Sequence, residues 1–369
     1  MRALLIVRPS VHERGGGDMV QALYTKRGLE AAGVEANVVS TLEPVTHGYD
    51  VAHVFGVFDP EVCAPQMAAC KRAGIPVALS PIWYDLYEYY GRSRAAERIL
   101  AGPQRRIERE LARLQVASPD TLLRRNERRK YAKRVEWQTA LMREAGVLLP
   151  NSAIEAHALS RRLRLHDRPI VVVHNAFDPP SAIERGGARS GVVCVARIEE
   201  VKNQAMLLYA LQGLDADVTL VGLAHQPHYS KLCRRFVTPR VHFAGVLPHA
   251  EVFALLARSA VHVLPSYRET PGIVSLEAAA AGARVIVSND GTEREYFGEL
   301  ADYVDPLDPR GIRCAVERAL ALPPREPGDE LDRRIAAFTA RNVGERTLAG
   351  YRIALGEVPC IAPRSREAP

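Results

Sequence analysis

Val261-His-Val-Leu-Pro265 is followed within four residues by Glu269-Thr-Pro-Gly-Ile-Val-Ser-Leu-Glu277. The first stretch is short and apolar, which reads as a buried strand. Residues 272–281, rich in Ala, Val and Leu, read as a helix. The chain therefore turns from strand to helix, with Glu269 in the loop before the helix and Glu277 within its second turn. Gly272 at the helix start lets a ligand approach the backbone closely. The first amides of a helix lack intrahelical partners and stand at the positive end of its dipole, so an anion is favoured there. One carboxylate near the start and one further along suit sugar hydroxyls, with a phosphate between them. Two Glu at this spacing also occur in ordinary helix starts, so the rest of the chain must decide.

Outward from this stretch, short apolar strands alternate with amphipathic helices. In the first half, strands are expected at 3–7, 36–40, 51–55, 76–80, 147–150 and 170–174. In the second half they are expected at 191–196, 217–221, 241–245, 261–265, 284–287 and 302–304. Ser152-Ala-Ile-Glu155 has the form of a capping box opening a helix. The alternation predicts parallel sheets covered on both faces, each a doubly wound α/β domain. It breaks once, over residues 178–191, where Pro, Gly, Ser and charge are concentrated. The expected domains are therefore residues 1–180, on the acceptor side, and 181–345, binding the donor nucleotide. Residues 346–369 form a helix and tail whose pattern allows a return to the first domain. The cleft between two such domains is the default ligand site, and the tail from Val358 reads as disordered.

The 369 residues suffice for two domains. No apolar run reaches the ~18 residues of a membrane span, and the N-terminus reads as a first strand, not a signal peptide. The six cysteines show no metal-ligand spacing and read as reduced and cytoplasmic. The net charge of +6 is uneven: residues 91–145 hold 15 Arg/Lys against 7 Asp/Glu. The basicity belongs to that segment.

Further features converge on a phosphate-bearing ligand. Gly15-Gly-Gly-Asp18 follows the first strand and permits a tight turn with exposed amides, although a plain flexible loop has the same composition. It lacks the spacing of a dinucleotide fingerprint. Arg197 and Lys202 bracket a strand-to-helix turn, where an Arg fork and a Lys point charge are placed for a diphosphate. A surface loop of mixed charge is the plainer alternative. Asp215-Ala-Asp217 stands before a strand and reads as a turn, not as a metal site.

Taken together, the second half resembles the retaining GT-B glycosyltransferases of the large family four. The likeness runs through Val195-Ala-Arg197, Lys202, Leu220-Val-Gly222, Val241-His-Phe-Ala-Gly245, Leu264-Pro-Ser266, Glu269 with Glu277, Gly282 and Glu295, over roughly residues 147–325. The first half matches more loosely, through its opening strand, its Gly-rich loop and His174-Asn175. The resemblance implies two Rossmann-like domains facing each other across a cleft. It also implies transfer of a sugar from a nucleotide diphosphate to a hydroxyl acceptor, with the anomeric configuration kept. By position, Arg197 and Lys202 would hold the donor diphosphate, Glu277 the ribose hydroxyls and Glu269 the sugar hydroxyls. Backbone around Gly272, Ile273 and Val274 would meet the phosphate or sugar, and Gly16 and Gly17 would approach from the other domain. Glu269, Arg197 and Lys202 are the expected catalytic set. Family members need no metal, so no cofactor or metal is expected. Three departures stand out: Thr270-Pro271-Gly272 where Gly-Phe-Gly is usual, Asn175-Ala176 for Asn-Gly, and Ile82 about where many members place a His.

On the acceptor side, Trp83, Tyr84 and Tyr87 lead an aromatic cluster suited to stacking on sugar rings, or to an ordinary core. The Arg-rich segment suits an anionic membrane and a lipid-linked acceptor, or a solvated helix face. It carries no nucleic-acid module. The expectation is a cytoplasmic hexosyltransferase, peripheral to the inner membrane face through that segment, in bacterial surface polysaccharide or glycolipid synthesis. The alternatives are a nucleotide-sugar epimerase on the same fold and a non-catalytic sugar-nucleotide-binding partner.

Overall fold

A computed structural model describes residues 1–10, 17–101, 125–177, 188–270 and 272–358. Gly16, Pro271, most of the expected linker and the tail beyond Val358 lie outside them. Contacts divide the chain into two compact units. The first is Met1–Trp83, Ala132–Asp178 and Phe338–Pro369; the second is Tyr84–Tyr131 and Pro179–Ala337.

The first unit is built on five parallel strands: β1 (Arg2–Val7), β2 (Glu35–Ser40), β3 (Val51–Phe55), β4 (Val77–Ser80) and β5 (Val147–Leu148), in the order β2-β1-β3-β4-β5. Strands β3 and β4 are buried throughout, which is why they are apolar except at His53 and Ser80. Leu4, Val54, Met67, Leu79, Trp83 and Met142 share one core. The stretch 170–174 differs from expectation: it is not a strand, and only Ile170 bridges to Leu148. Ser152 caps the helix Ala153–Arg161, accepting from Glu155 N at 3.0 Å. The Glu155 carboxylate accepts from the backbone N–H of Asn151 (2.8 Å) and Trp83 (2.6 Å), so it holds the start of this helix to the end of β4.

The helix Ala340–Ala354 completes this unit by crossing the helix Gly17–Ala31 at two glycines. A Cβ on Gly28 would lie 2.7 Å from Gly344 N, so only two glycines allow this approach. The crossing brings Tyr351 into the core, where its hydroxyl is 2.9 Å from His53 Nδ1; His53 Nε2 is 2.9 Å from Ser80 Oγ. Burial pushes the His53 imidazole down to about 3.

The second unit holds six parallel strands: β6 (Ser190–Val195), β7 (Val218–Val221), β8 (Val241–Gly245), β9 (Ser259–Leu264), β10 (Arg284–Ser288) and β11 (Asp302–Val304), in the order β11-β10-β9-β6-β7-β8. The chain builds outward from β6 to one side, then returns through β9 to build the other. The strand order therefore reverses between β6 and β9, and in open α/β sheets a ligand crevice forms outside the carboxyl ends at such a reversal. The helix Leu86–Ala101 packs within this unit, against the 3-10 turn Glu200–Lys202 and the helix Gln204–Ala210.

Candidate functional site

The carboxyl ends of β6 and β9 carry the residues singled out by their sequence. Backbone links join the two loops: Tyr267 N donates to Val201 O at 2.9 Å. Asn203, at φ 58° in the left-handed region that Asn tolerates, donates its side-chain amide to Pro265 O (3.0 Å) and Pro306 O (2.7 Å). Gly222, at φ 142°, lets the end of β7 approach Ala196; a Cβ there would lie 2.6 Å from its carbonyl carbon.

Lys202 and Glu269, 67 residues apart in sequence, meet across this junction. Lys202 Nζ lies 2.8 Å from both Glu269 oxygens, and Ser266 Oγ donates to Glu269 Oε2 at 2.8 Å. The glutamate is only 7% exposed, so a buried carboxylate is held by an ammonium and a hydroxyl. Gly272 stands against it: a Cβ there would lie 3.5 Å from the Glu269 side chain and 2.9 Å from Leu264. Gly272 also caps the helix Ile273–Ala280, and Ile273 and Val274 are half-buried in its first turn. The far end of that helix is held by Arg325, which donates to Ala279 O at 2.8 Å.

Arg197 is half-buried, 2.9 Å from Glu199. Glu277, also 7% exposed, accepts from His249 Nε2 at 2.8 Å. His249 opens the helix His249–Arg258 just past β8, and its place at a strand's carboxyl end was the available signal for it. Ser266 lay inside a quoted motif, and its bond to Glu269 is a tertiary finding.

A third acid, Glu293, sits at the start of the short helix Glu293–Phe297 after β10. It is fully buried, and neither carboxyl oxygen has a hydrogen-bond partner among the described residues. Burial first, then the charge of Glu269, raises it well above the usual carboxylate range. No sequence signal marked this residue.

The other candidates are placed as follows. Trp83 is a core residue of the first unit, 3% exposed, its indole N–H donating to Gln138 at 3.1 Å. Its ring has no face open to a sugar. Tyr84 is half-buried in the second unit, edge-on to Tyr89 with centroids 5.8 Å apart. The side chain of Tyr87 lies outside the described residues. Gly17 is exposed at the start of the helix Gly17–Ala31. Ile82 has φ 49°, a conformation that a β-branched residue rarely adopts. Asp215 and Asp217 are exposed and pair with Arg240. Among the described residues no three His, Cys, Asp or Glu side chains gather as metal ligands would.

This arrangement sits in a recognisable sequence region: residues 184–336 match the family model described as glycosyl transferases group 1. These residues form a glycosyl transferases group 1 domain. Over 198 residues, which are 50% of this chain and 47% of its relative, the sequence is 31% identical to a glycogen synthase of Mycobacterium tuberculosis. Over 242 residues it is 27% identical to the MMP alpha-(1->4)-mannosyltransferase of Mycolicibacterium hassiacum, covering 61% of this chain and 58% of that protein. The chain thus spans about half the length of these relatives. The sucrose-phosphate synthase of Thermosynechococcus elongatus superposes with a TM-score of 0.64 at 16% identity, covering 97% of each chain. That likeness concerns the fold, two Rossmann-like α/β domains of the GT-B type. The group 1 domain contains every donor-side residue discussed above except Gly16 and Gly17.

Proposed function

We propose that the protein is a metal-independent, retaining glycosyltransferase moving a sugar from a nucleotide diphosphate to a hydroxyl of a saccharide or lipid-linked acceptor. The observation that carries this reading is the Lys202–Glu269–Ser266 cluster, placed where the strand order reverses in a group 1 domain. As the sugar leaves, negative charge grows on the bridging phosphate oxygen and the sugar becomes oxocarbenium-like. Lys202, Arg197 and the half-buried amides at the start of the helix Ile273–Ala280 would stabilise the departing diphosphate as its charge develops. Glu269 is held at both oxygens by Lys202 and Ser266, which suits positioning of sugar hydroxyls better than attack on carbon. This supports a reaction on one face, with the acceptor hydroxyl entering where the diphosphate leaves. Glu277, oriented by His249, would take the ribose hydroxyls.

The acceptor belongs to bacterial surface polysaccharide or glycolipid synthesis in this reading. Among the described residues no helix is long and apolar enough to cross a membrane. The helix Arg125–Glu144 exposes Arg125, Arg129, Lys130 and Lys133, charge that suits peripheral contact with anionic lipid on the cytoplasmic side.

The test is binding and hydrolysis of UDP-, GDP-, ADP- and dTDP-sugars by wild type, Arg197→Ala and Glu277→Ala, with and without chelator. One donor should bind, both substitutions should weaken it about tenfold or more, and the chelator should leave turnover unchanged. Failure of every donor to bind, or binding indifferent to both substitutions, would overturn the assignment.

A further inference from the structure

Glu293 is an acid without a partner in a place that constrains its use. Its side chain folds back over its own loop, since a Cβ on Gly291 would lie 2.5 Å from the Glu293 carboxyl carbon. The residue before it holds the neighbouring acid: Thr292 donates its backbone N–H at 3.4 Å and its hydroxyl at 3.5 Å to the Glu269 carbonyl. The charges acting on Glu293 are Glu269 and Arg268 from the loop after β9 and Lys202 from the 3-10 turn, and Glu293 in turn acts on the neutral phenol of Tyr303 in β11. Arg334, from the helix Glu330–Ile335, holds the backbone of the same short helix at the carbonyls of Glu295 and Tyr296. A fully buried carboxyl group with no hydrogen-bond partner among the described residues and a second acid acting on it is favoured in its neutral form, which is a hydrogen-bond donor.

Among the described residues, Glu269 Oε2 is held by both Lys202 and Ser266, whereas Oε1 is held by Lys202 alone. A diphosphate bound at the switch point would compete for that ammonium and leave Oε1 without a donor. A second carboxylate beside Glu269 would repel it, but a protonated acid attracts it.

We propose that Glu293 is a positioning residue of the donor site, whose carboxyl group donates a hydrogen bond to Glu269 Oε1 once the donor diphosphate engages Lys202. No proton is transferred; the acid keeps Glu269 in place while Lys202 serves the leaving group. The proposal rests on the donor-site reading above.

The experiment compares wild type, Glu293→Gln and Glu293→Met with the donor that wild type turns over, from neutral to alkaline pH. Affinity for the corresponding nucleoside diphosphate is measured in parallel. An apolar side chain in place of an orphaned buried acid should leave the melting temperature equal or higher. Met should nevertheless lower kcat about tenfold or more while nucleoside diphosphate affinity stays near wild type. Gln, whose amide donates at every pH, should keep kcat within about threefold at neutral pH. It should also lose the alkaline fall that ionisation of Glu293 gives wild type. Full kcat in the Met variant, an equal loss in both variants, or an unchanged alkaline limb in the Gln variant would each overturn the proposal. Should the Met variant not fold, the pH profile of the Gln variant decides alone. Absence of any nucleotide-sugar binding by wild type is a separate result, which removes the donor-site reading and this proposal with it.

Discussion

Replacing Lys202 by Met tests the central pair directly. Lys202 lies 2.8 Å from both oxygens of Glu269, and the two side chains are 17% and 8% exposed. At an effective dielectric of about 20 the gross attraction at that distance is about 6 kcal/mol, much of it offset by desolvation. Removing one member of a buried pair leaves an uncompensated charge and costs about 3–5 kcal/mol; the partial exposure of Lys202 places this case near 3 kcal/mol. Glu269→Gln leaves the ammonium, which can turn toward solvent, and should cost about 1–2 kcal/mol. The double variant has no buried charge, keeps the Ser266 hydrogen bond to the Gln carbonyl, and should cost about 1 kcal/mol. The implied coupling is about 3 kcal/mol. Urea unfolding at neutral pH, followed by far-ultraviolet circular dichroism on all four proteins, measures it. A cost below about 1 kcal/mol for Lys202→Met, or additive costs in the double variant, would show that solvent screens the pair. The argument for a tightly held Glu269 would then fail.

Two further outcomes follow from the first unit. Gly344→Ala puts a Cβ 2.6 Å from the Gly28 Cα, with only backbone to yield. Overpacking of about 3 kcal/mol less about 1 kcal/mol of regained helix propensity leaves a net loss of about 2 kcal/mol. Gly350→Ala meets the movable Leu149 side chain at 2.6 Å and should cost less in the same melt. His53 is neutral in the folded state, its imidazole held at about 3 against 6.5 unfolded. Its contribution is therefore complete above pH 6.5 and is lost as the pH falls toward 3, at about 1.4 kcal/mol per pH unit. Between neutrality and about pH 4.5 wild type should lose about 3 kcal/mol more than His53→Asn, read from urea midpoints at both pH values. An equal acid loss in the two proteins would contradict the buried neutral imidazole.

Periodicity and composition determined the elements. Val51–Phe55, buried along its whole length, matches an observed strand end to end, and so does Val241–Gly245, although it is an exposed edge strand. The Glu269-to-Glu277 stretch placed a strand, a turn and a helix in order, since Gly272 and the Ala-rich run after it act locally. The same local reasoning failed at 170–174, where a branched apolar run makes a single bridge. Strand order was a matter for tertiary structure: nothing within β6 or β9 announces that they are neighbours, yet that adjacency brings Lys202 to Glu269. Burial was decided in the same way. Trp83 reads equally well as a stacking platform or a core residue until Glu155 and Gln138 close around it. Glu293 carries no local signal, and only packing takes it out of water. The return of the chain to its first unit depends on Gly28 meeting Gly344, 316 residues apart in sequence. Sequence pattern fixes what each segment becomes because those forces act over a few residues. Which segments touch depends on free energy shared across the whole chain, and the chemistry of the site is set there.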